Sequence, residues 1–157
     1  MRKANLLVNN NTVLNGYVNI DPYAVEGDGK IQGDVTDLSH CIDDDELDEL
    51  VADSVLEYFG AGMVPQVLSN WVSKIKKGGR IVISTPDIYE IARGIVRRDI
   101  SEDDANVLLF GTQDKDGSFK RNVFSMKKVE QLLSQLGMSV TSRRFVTYKL
   151  VITAEKV

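Results

Sequence analysis

Short apolar runs of strand length alternate in this chain with longer stretches of helical spacing, and that alternation narrows the fold more than any other feature. Six runs read as buried strands: Asn5–Val8, Tyr17–Ile20, Leu50–Ala52, Arg80–Ser84, Val140–Phe145 and Lys149–Ala154. A further short strand is expected just before Gly33. One helix is expected from Pro65 to Lys77, with Leu68, Trp71, Val72 and Ile75 facing inward and Gly78-Gly79 stopping it. Another follows Pro86, with Asp87 as N-cap, Glu90 three residues on, and a stripe of Ile88, Ile91, Ala92 and Ile95. Ser101 and Asp104 repeat the capping pattern before Val107–Phe110. From Met126 to Leu136 the stripe is Val129, Leu132, Leu133 and Leu136, capped by Ser125 and ended by Gly137. This order predicts an α/β sheet, mostly parallel with a late antiparallel strand. Ligands in such sheets bind beyond the carboxyl ends of the strands, here Asn9, Asp21, Asp34, Ser54 and Thr85.

The connection between the first two strands is unusual. The eight residues from Asn9 to Gly16 are too few for a crossover unit, which needs roughly 10–12 with its helix. The first helix is therefore expected to be missing or very short. Asn9, Asn10 and Asn11 stand where nucleotide-binding turns place glycines. Asparagine visits the left-handed region more readily than most residues, so the turn can form. Its side chains nevertheless fill space that a glycine leaves to a ligand.

A length of 157 residues suits one domain with one core. The net charge of −4 argues against a broad attraction to nucleic acid. Lys120, Arg121, Lys127, Lys128, Arg143 and Arg144 read as solvated faces of a helix and a strand. Cys41 and His40 are the only residues of their kinds, which excludes an internal disulfide and any cysteine- or histidine-rich metal site. His40 reads as a surface-loop residue. The acids Asp43, Asp44, Asp45, Glu46, Asp48 and Glu49 read as a solvated connection rather than a metal site, and Asp114–Gly117 as a turn. No stretch approaches the ~18 apolar residues of a membrane span, so a soluble, cytoplasmic protein is expected.

Read in order, four segments carry a resemblance: GYVNIDP from Gly16, IQGDVTDL from Ile31, DELVADSVLEYF from Asp48 and WVSKIKKGGRIVISTPD from Trp71. Together with FGTQDKDGSFKRNVFSMKKVEQLLSQLGM from Phe110, they resemble the small class I S-adenosylmethionine-dependent methyltransferases over nearly the whole chain. The resemblance implies a Rossmann-like sheet in a single domain, residues 1–157, with S-adenosylmethionine as cofactor. It implies that Asp21 takes the ribose hydroxyls. At Gly33-Asp34-Val35, the Asp34 carboxylate would meet the adenine amino group and the Val35 N–H a ring nitrogen. Ser54 and Val55 would lie near the sulfonium, and Asn9, Asn10 and Asn11 would face the methionine portion.

By the same resemblance, Tyr58, Thr85, Gln113 and Lys120 border the acceptor. The chain departs from the family pattern at the asparagines, which weaken the cofactor site, and at Ser54, Tyr58 and Lys120, which replace family histidines. No catalytic residue is assigned. Methyl transfer tolerates this, because in-line positioning of an activated methyl supplies much of the rate. The implied function is methyl transfer to a small or carrier-presented acceptor, with a sugar-linked one suggested at family level only. A protein partner could present that acceptor. The alternative is a non-catalytic interaction module that keeps the sheet and has lost the cofactor. A nicotinamide dinucleotide enzyme is disfavoured, since no G-x-G-x-x-G occurs.

Overall fold

The computed structural model describes all 157 residues. Seven strands form one sheet: β1 (Lys3–Leu6), β2 (Val18–Asp21), β3 (Ile31–Gln32), β4 (Leu47–Asp53), β5 (Ile75–Pro86), β6 (Met138–Val146) and β7 (Lys149–Lys156). The order across the sheet is β3-β2-β1-β4-β5-β7-β6. β1 to β5 pair in parallel, while β7 runs antiparallel between β5 and β6. The chain lays β1, β2 and β3 outward in one direction and then returns to place β4 on the other side of β1. That reversal puts a crevice at the carboxyl ends of β1, β2 and β4.

Alternation along the strands decides what each face does. Ile20, Leu6, Ala52, Ile83 and Ile152 are neighbours across five strands and are wholly excluded from water. They join the apolar side of α1 (Val64–Lys74) and α4 (Met126–Gln135) in one core. Positions of opposite parity are different in kind: Asn5, Asn19 and Glu49 are polar, and Val51, Val82 and Val151 are only half-buried. Parallel sheets usually bury both faces beneath crossover helices. Here no helix lies between β1 and β2, and the Asn9–Tyr17 segment covers that face instead. Its irregular backbone needs polar partners, which the two asparagines supply. Asn5 Nδ2 donates to Asn19 Oδ1 at 2.8 Å and to Thr12 O at 3.0 Å, while Asn19 bonds both the N–H and the C=O of Leu14.

Helix boundaries follow their caps. Ser125 Oγ accepts from Lys128 N, Asp87 accepts from Tyr89 N and Glu90 N, and Ser101 Oγ accepts from Asp104 N. These start α4, α2 (Ile88–Arg97) and α3 (Glu102–Phe110). Two expectations are corrected. Gly78-Gly79 does not stop α1; that helix ends at Lys74, and the glycines lie inside β5. They form a bulge where pairing with β4 shifts, and a Cβ on Gly79 would stand 2.7 Å from the Leu47 carbonyl. The α2 stripe is also turned. Ile88 and Ile95 are 40% and 47% exposed, whereas Ile91 and Gly94 are buried. The helix rests on the turn between β6 and β7, where the Tyr148 ring packs directly against Gly94.

The acids of residues 43–49 serve as cross-links to other segments. Asp44 pairs with Lys74, Asp45 with Lys156, Glu46 with Arg2, Asp48 with Lys76 and Glu49 with Arg80. No helix is long and apolar enough to cross a membrane.

Trp71 ties α1 to the crevice. Its ring is fully buried edge-on to Phe59, with centroids 6.2 Å apart, and its Nε1–H donates to Val35 O at 2.7 Å. Trp71→Phe keeps most of the packing and strands that carbonyl, so it should cost about 1–3 kcal/mol in urea unfolding.

Candidate functional site

Two cavities open side by side at the carboxyl ends of β1, β2 and β4. The larger, about 370 Å³, has apolar walls from Val8, Val35, Phe59 and Met63, with Tyr58, Phe119 and Arg121 on its far side. Asp34 and Val35 reach it from the turn after β3. Asp34 Oδ1 accepts from the backbone and hydroxyl of Thr36 at 2.8 and 2.6 Å, which leaves Oδ2 without a partner. The Val35 N–H donates to no group in the protein, while its carbonyl is held by Trp71. A free acceptor and a free donor therefore stand on adjacent residues beside an apolar slot. A flat heterocycle with an amino group next to a ring nitrogen matches that pair. Gly33 precedes them because β2 and Cys41 crowd it: a Cβ would stand 2.9 Å from Ile20 Cγ2.

The smaller cavity, about 190 Å³, is polar and is lined by Asn9, Asn10, Asn11, Asp21, Lys30, Lys115 and Asp116. The asparagine turn forms as the residue type allows. Asn9 takes φ 53°, and Asn10 Oδ1 accepts from Thr12 N. Asp21 is buried at the end of β2, with both carboxylate oxygens engaged. Oδ1 accepts from Tyr23 N at 2.8 Å, and Oδ2 accepts from Lys30 Nζ at 2.8 Å. Lys30 also donates to Asn11 Oδ1 at 3.2 Å and stands 3.4 Å from Asp28. The Asp21 carboxylate raises the Lys30 pKa above its ordinary value, against the opposing effect of burial.

The segment from Gly111 to Arg121 crosses between the two cavities. Asn9 Nδ2 donates to Gly117 O at 3.0 Å, and the Tyr23 ring lies so close to Gly117 that a Cβ there would be 2.5 Å from its hydroxyl. Gly117 also holds φ +80°, so no other residue fits that position without strain. At the far end of the crossing, the N–H groups of Arg121 and Asn122 donate to the Glu57 carbonyl at 2.8 and 3.1 Å.

Behind the wall formed by Tyr58, Phe119 and Arg121 lies a buried charged pair. Glu57 is fully enclosed after β4; its Oε2 accepts from Thr85 Oγ1 at 2.9 Å, and its Oε1 has no hydrogen-bond partner. Lys120 Nζ stands 3.8 Å from that oxygen and donates to Leu108 O. Burial pushes the Glu57 pKa up and the Lys120 pKa down, each away from its charged form.

The structure thus gathers Asp34, Val35 and Tyr58 about the larger cavity and Asn9, Asn10, Asn11 and Asp21 about the smaller one. It places the other expected residues elsewhere. Ser54 holds φ 56° and donates to Ser84 O; Val55 is fully buried in the core. Thr85 is buried on Glu57, Gln113 is exposed with its amide near Phe110 O, and Lys120 joins Glu57. Residues that sequence reasoning missed include Tyr23, Lys30, Glu57 and Gly117. Of these only Glu57 had a signal, an acid set in an otherwise apolar segment.

Because the folded protein favours the protonated Glu57, this residue costs stability as pH rises from the ordinary glutamate value of 4.5 through its raised value. Glu57→Gln mimics the neutral acid. Its stability relative to wild type should therefore improve across that window and level off above it, as read from denaturant melts over a pH series.

No protein-family model matches the sequence, and no curated protein is found similar to it. Solved structures do match. A SAM-dependent methyltransferase from Archaeoglobus fulgidus is 14% identical with a TM-score of 0.65, over 99% of this chain and 86% of that one. The Burkholderia thailandensis 1,6-didemethyltoxoflavin-N1-methyltransferase, solved with 1,6-didemethyltoxoflavin and S-adenosylhomocysteine, is 13% identical with a TM-score of 0.60. The match covers 90% of this chain, which spans only 61% of that enzyme's length. A chain of the Haloferax volcanii complex with the Trm112 methyltransferase activator is 12% identical, with a TM-score of 0.60 over 89% of this chain and 71% of that one. With the strand order, the late antiparallel strand and the crevice beside β1 all in place, the chain has the fold of the class I S-adenosylmethionine-dependent methyltransferases.

Proposed function

We propose that the 157 residues form one methyltransferase-like domain that works in the cytoplasm, binds S-adenosylmethionine and methylates a small or carrier-presented acceptor, sugar-linked at the level of the family resemblance. The observation that carries this reading is the unpartnered pair in the larger cavity, Asp34 Oδ2 beside the Val35 N–H, in a slot walled by Val8, Phe59 and Met63. Adenine fits both its donor and its acceptor needs. In this reading Asp21 takes the ribose, and its oxygens, now bonded to Tyr23 N and Lys30 Nζ, have to be released for a vicinal diol. The polar cavity behind it offers amides, two ammonium groups and carboxylates to the amino-acid end of the ligand.

When bound, the cofactor supplies an activated methyl on sulfur. The chain's own contribution is orientation. Asp34 and Val35 fix the base, and the Asn9 turn and the Gly111–Arg121 crossing close the two ends. Tyr58, Phe119 and Arg121 shape the wall an acceptor would meet. No side chain with an open titratable group is needed to remove a proton when the acceptor is already a lone-pair nucleophile. The asparagine side chains and the engaged Asp21 weaken cofactor binding in this reading.

The Asp21–Lys30 pair also favours a second reading, a methyltransferase-fold interaction module without cofactor. A structural neighbour held in complex with an activator makes a protein partner reasonable for either reading. Isothermal titration with S-adenosylmethionine and S-adenosylhomocysteine separates the two. Micromolar binding, weakened about tenfold or more in Asp34→Ala, is expected for the enzyme. Absence of heat from folded protein would leave only the interaction module.

A further inference from the structure

We propose that Lys30 sets the ligand affinity of the ribose end, as a built-in cation that holds the place of the ligand's two hydroxyls on Asp21 and must leave before they bind. The inference rests on the cofactor reading above.

The seat is closed by geometry. Lys30 Nζ lies 2.8 Å from Asp21 Oδ2, and the two side chains are only 8% and 5% exposed, although both belong to residues that border a polar cavity. The ammonium also donates to Asn11 Oδ1 at 3.2 Å and stands 3.4 Å from Asp28 Oδ2. The other Asp21 oxygen is taken by Tyr23 N–H. A vicinal diol binds a carboxylate through both oxygens, and here each oxygen already accepts one hydrogen bond while only 5% of the side chain is exposed.

The arrangement is also prepared for the exchange. Asp28 accepts from the N–H groups of Val25 and Lys30, so the lysine's backbone is pinned while its side chain alone has to move. Asp28 remains within reach as an alternative partner for the displaced ammonium. The exchange replaces a charged donor on Asp21 by two neutral ones, so it lowers apparent affinity by the fraction of molecules in which the seat is free. Ligands without a ribose diol leave the lysine in place and do not bear this cost.

The test uses the full chain with S-adenosylhomocysteine as probe. Lysine acylation read by peptide mass spectrometry should label Lys30 severalfold faster at saturating ligand, with Lys74, equally buried on Asp44, unchanged. Lys30→Gln, checked for folding by its melt, should bind the probe at least about tenfold more tightly than wild type. Lys30→Arg keeps the charge and should show no gain. Protection of Lys30 by the ligand, or weaker binding by Lys30→Gln, would overturn the proposal while leaving cofactor binding intact. Binding by Lys30→Gln alone supports it. Binding by none of the folded proteins removes the cofactor reading and this inference together.

Discussion

The hydrogen bond between the Asn5 and Asn19 side chains, 2.8 Å long and buried between two parallel strands, is what allows this sheet to exist without its first helix. A crossover helix would satisfy its own backbone and present an apolar stripe to the strands. The Asn9–Tyr17 segment can do neither. Its carbonyls and N–H groups instead turn inward onto the two amides, Asn5 bonding it at Thr12 and Asn19 at Leu14 and Tyr17. Leaving such groups unpaired would cost about 1–3 kcal/mol apiece, so the amides are a condition of the fold rather than an ornament. They also set where the Asn9 turn lies relative to Asp21, and with it the shape of the polar cavity. Glu49, bonded to Tyr17 and Arg80 on the same face, extends the pattern across β4 and β5.

Much of this was legible in the sequence wherever the cause is local. Ser101, Asp87 and Ser125 cap their helices through bonds that span three residues or fewer, and the short first connection by itself excluded a helix. The alternation of strands and helices carried the sheet type. What could not be read depends on contacts distant in the chain. The α2 stripe looked like a core face, but Tyr148 meets Gly94 and rotates the helix, leaving Ile88 and Ile95 outside. Gly78-Gly79 has the same letters whether it ends a helix or forms a bulge, and only the close Leu47 carbonyl decides. Asn5 and Asn19 lie inside the runs read as the first two strands. Their role emerged only when β1 and β2 were seen side by side.

The candidate site divides along the same line. The Asp34 contacts are local, both to Thr36, whereas the Val35 carbonyl is held by Trp71 from 36 positions away. The state of Asp21 could not be read, since the lysine that engages it comes from a connection whose course no pattern reveals. The crossing segment is further still from its partners: Asn9 and Gly117 are 108 positions apart and meet over a single hydrogen bond.

Two buried carboxylates now frame the crevice, and their partners make them opposites. Asp21 has every oxygen engaged and a lysine whose proton it holds more firmly. Glu57 has one oxygen bonded to Thr85 and the other bonded to nothing, with a lysine just beyond hydrogen-bond reach. Lys120 lies in the chain that crosses the cavities, and Glu57 also holds the end of that crossing through its carbonyl. The segment over the crevice is tied at its middle through Asn9 and Tyr23 and at its end through the Glu57 carbonyl. This arrangement suits a chain whose missing helix leaves the crevice without its usual wall.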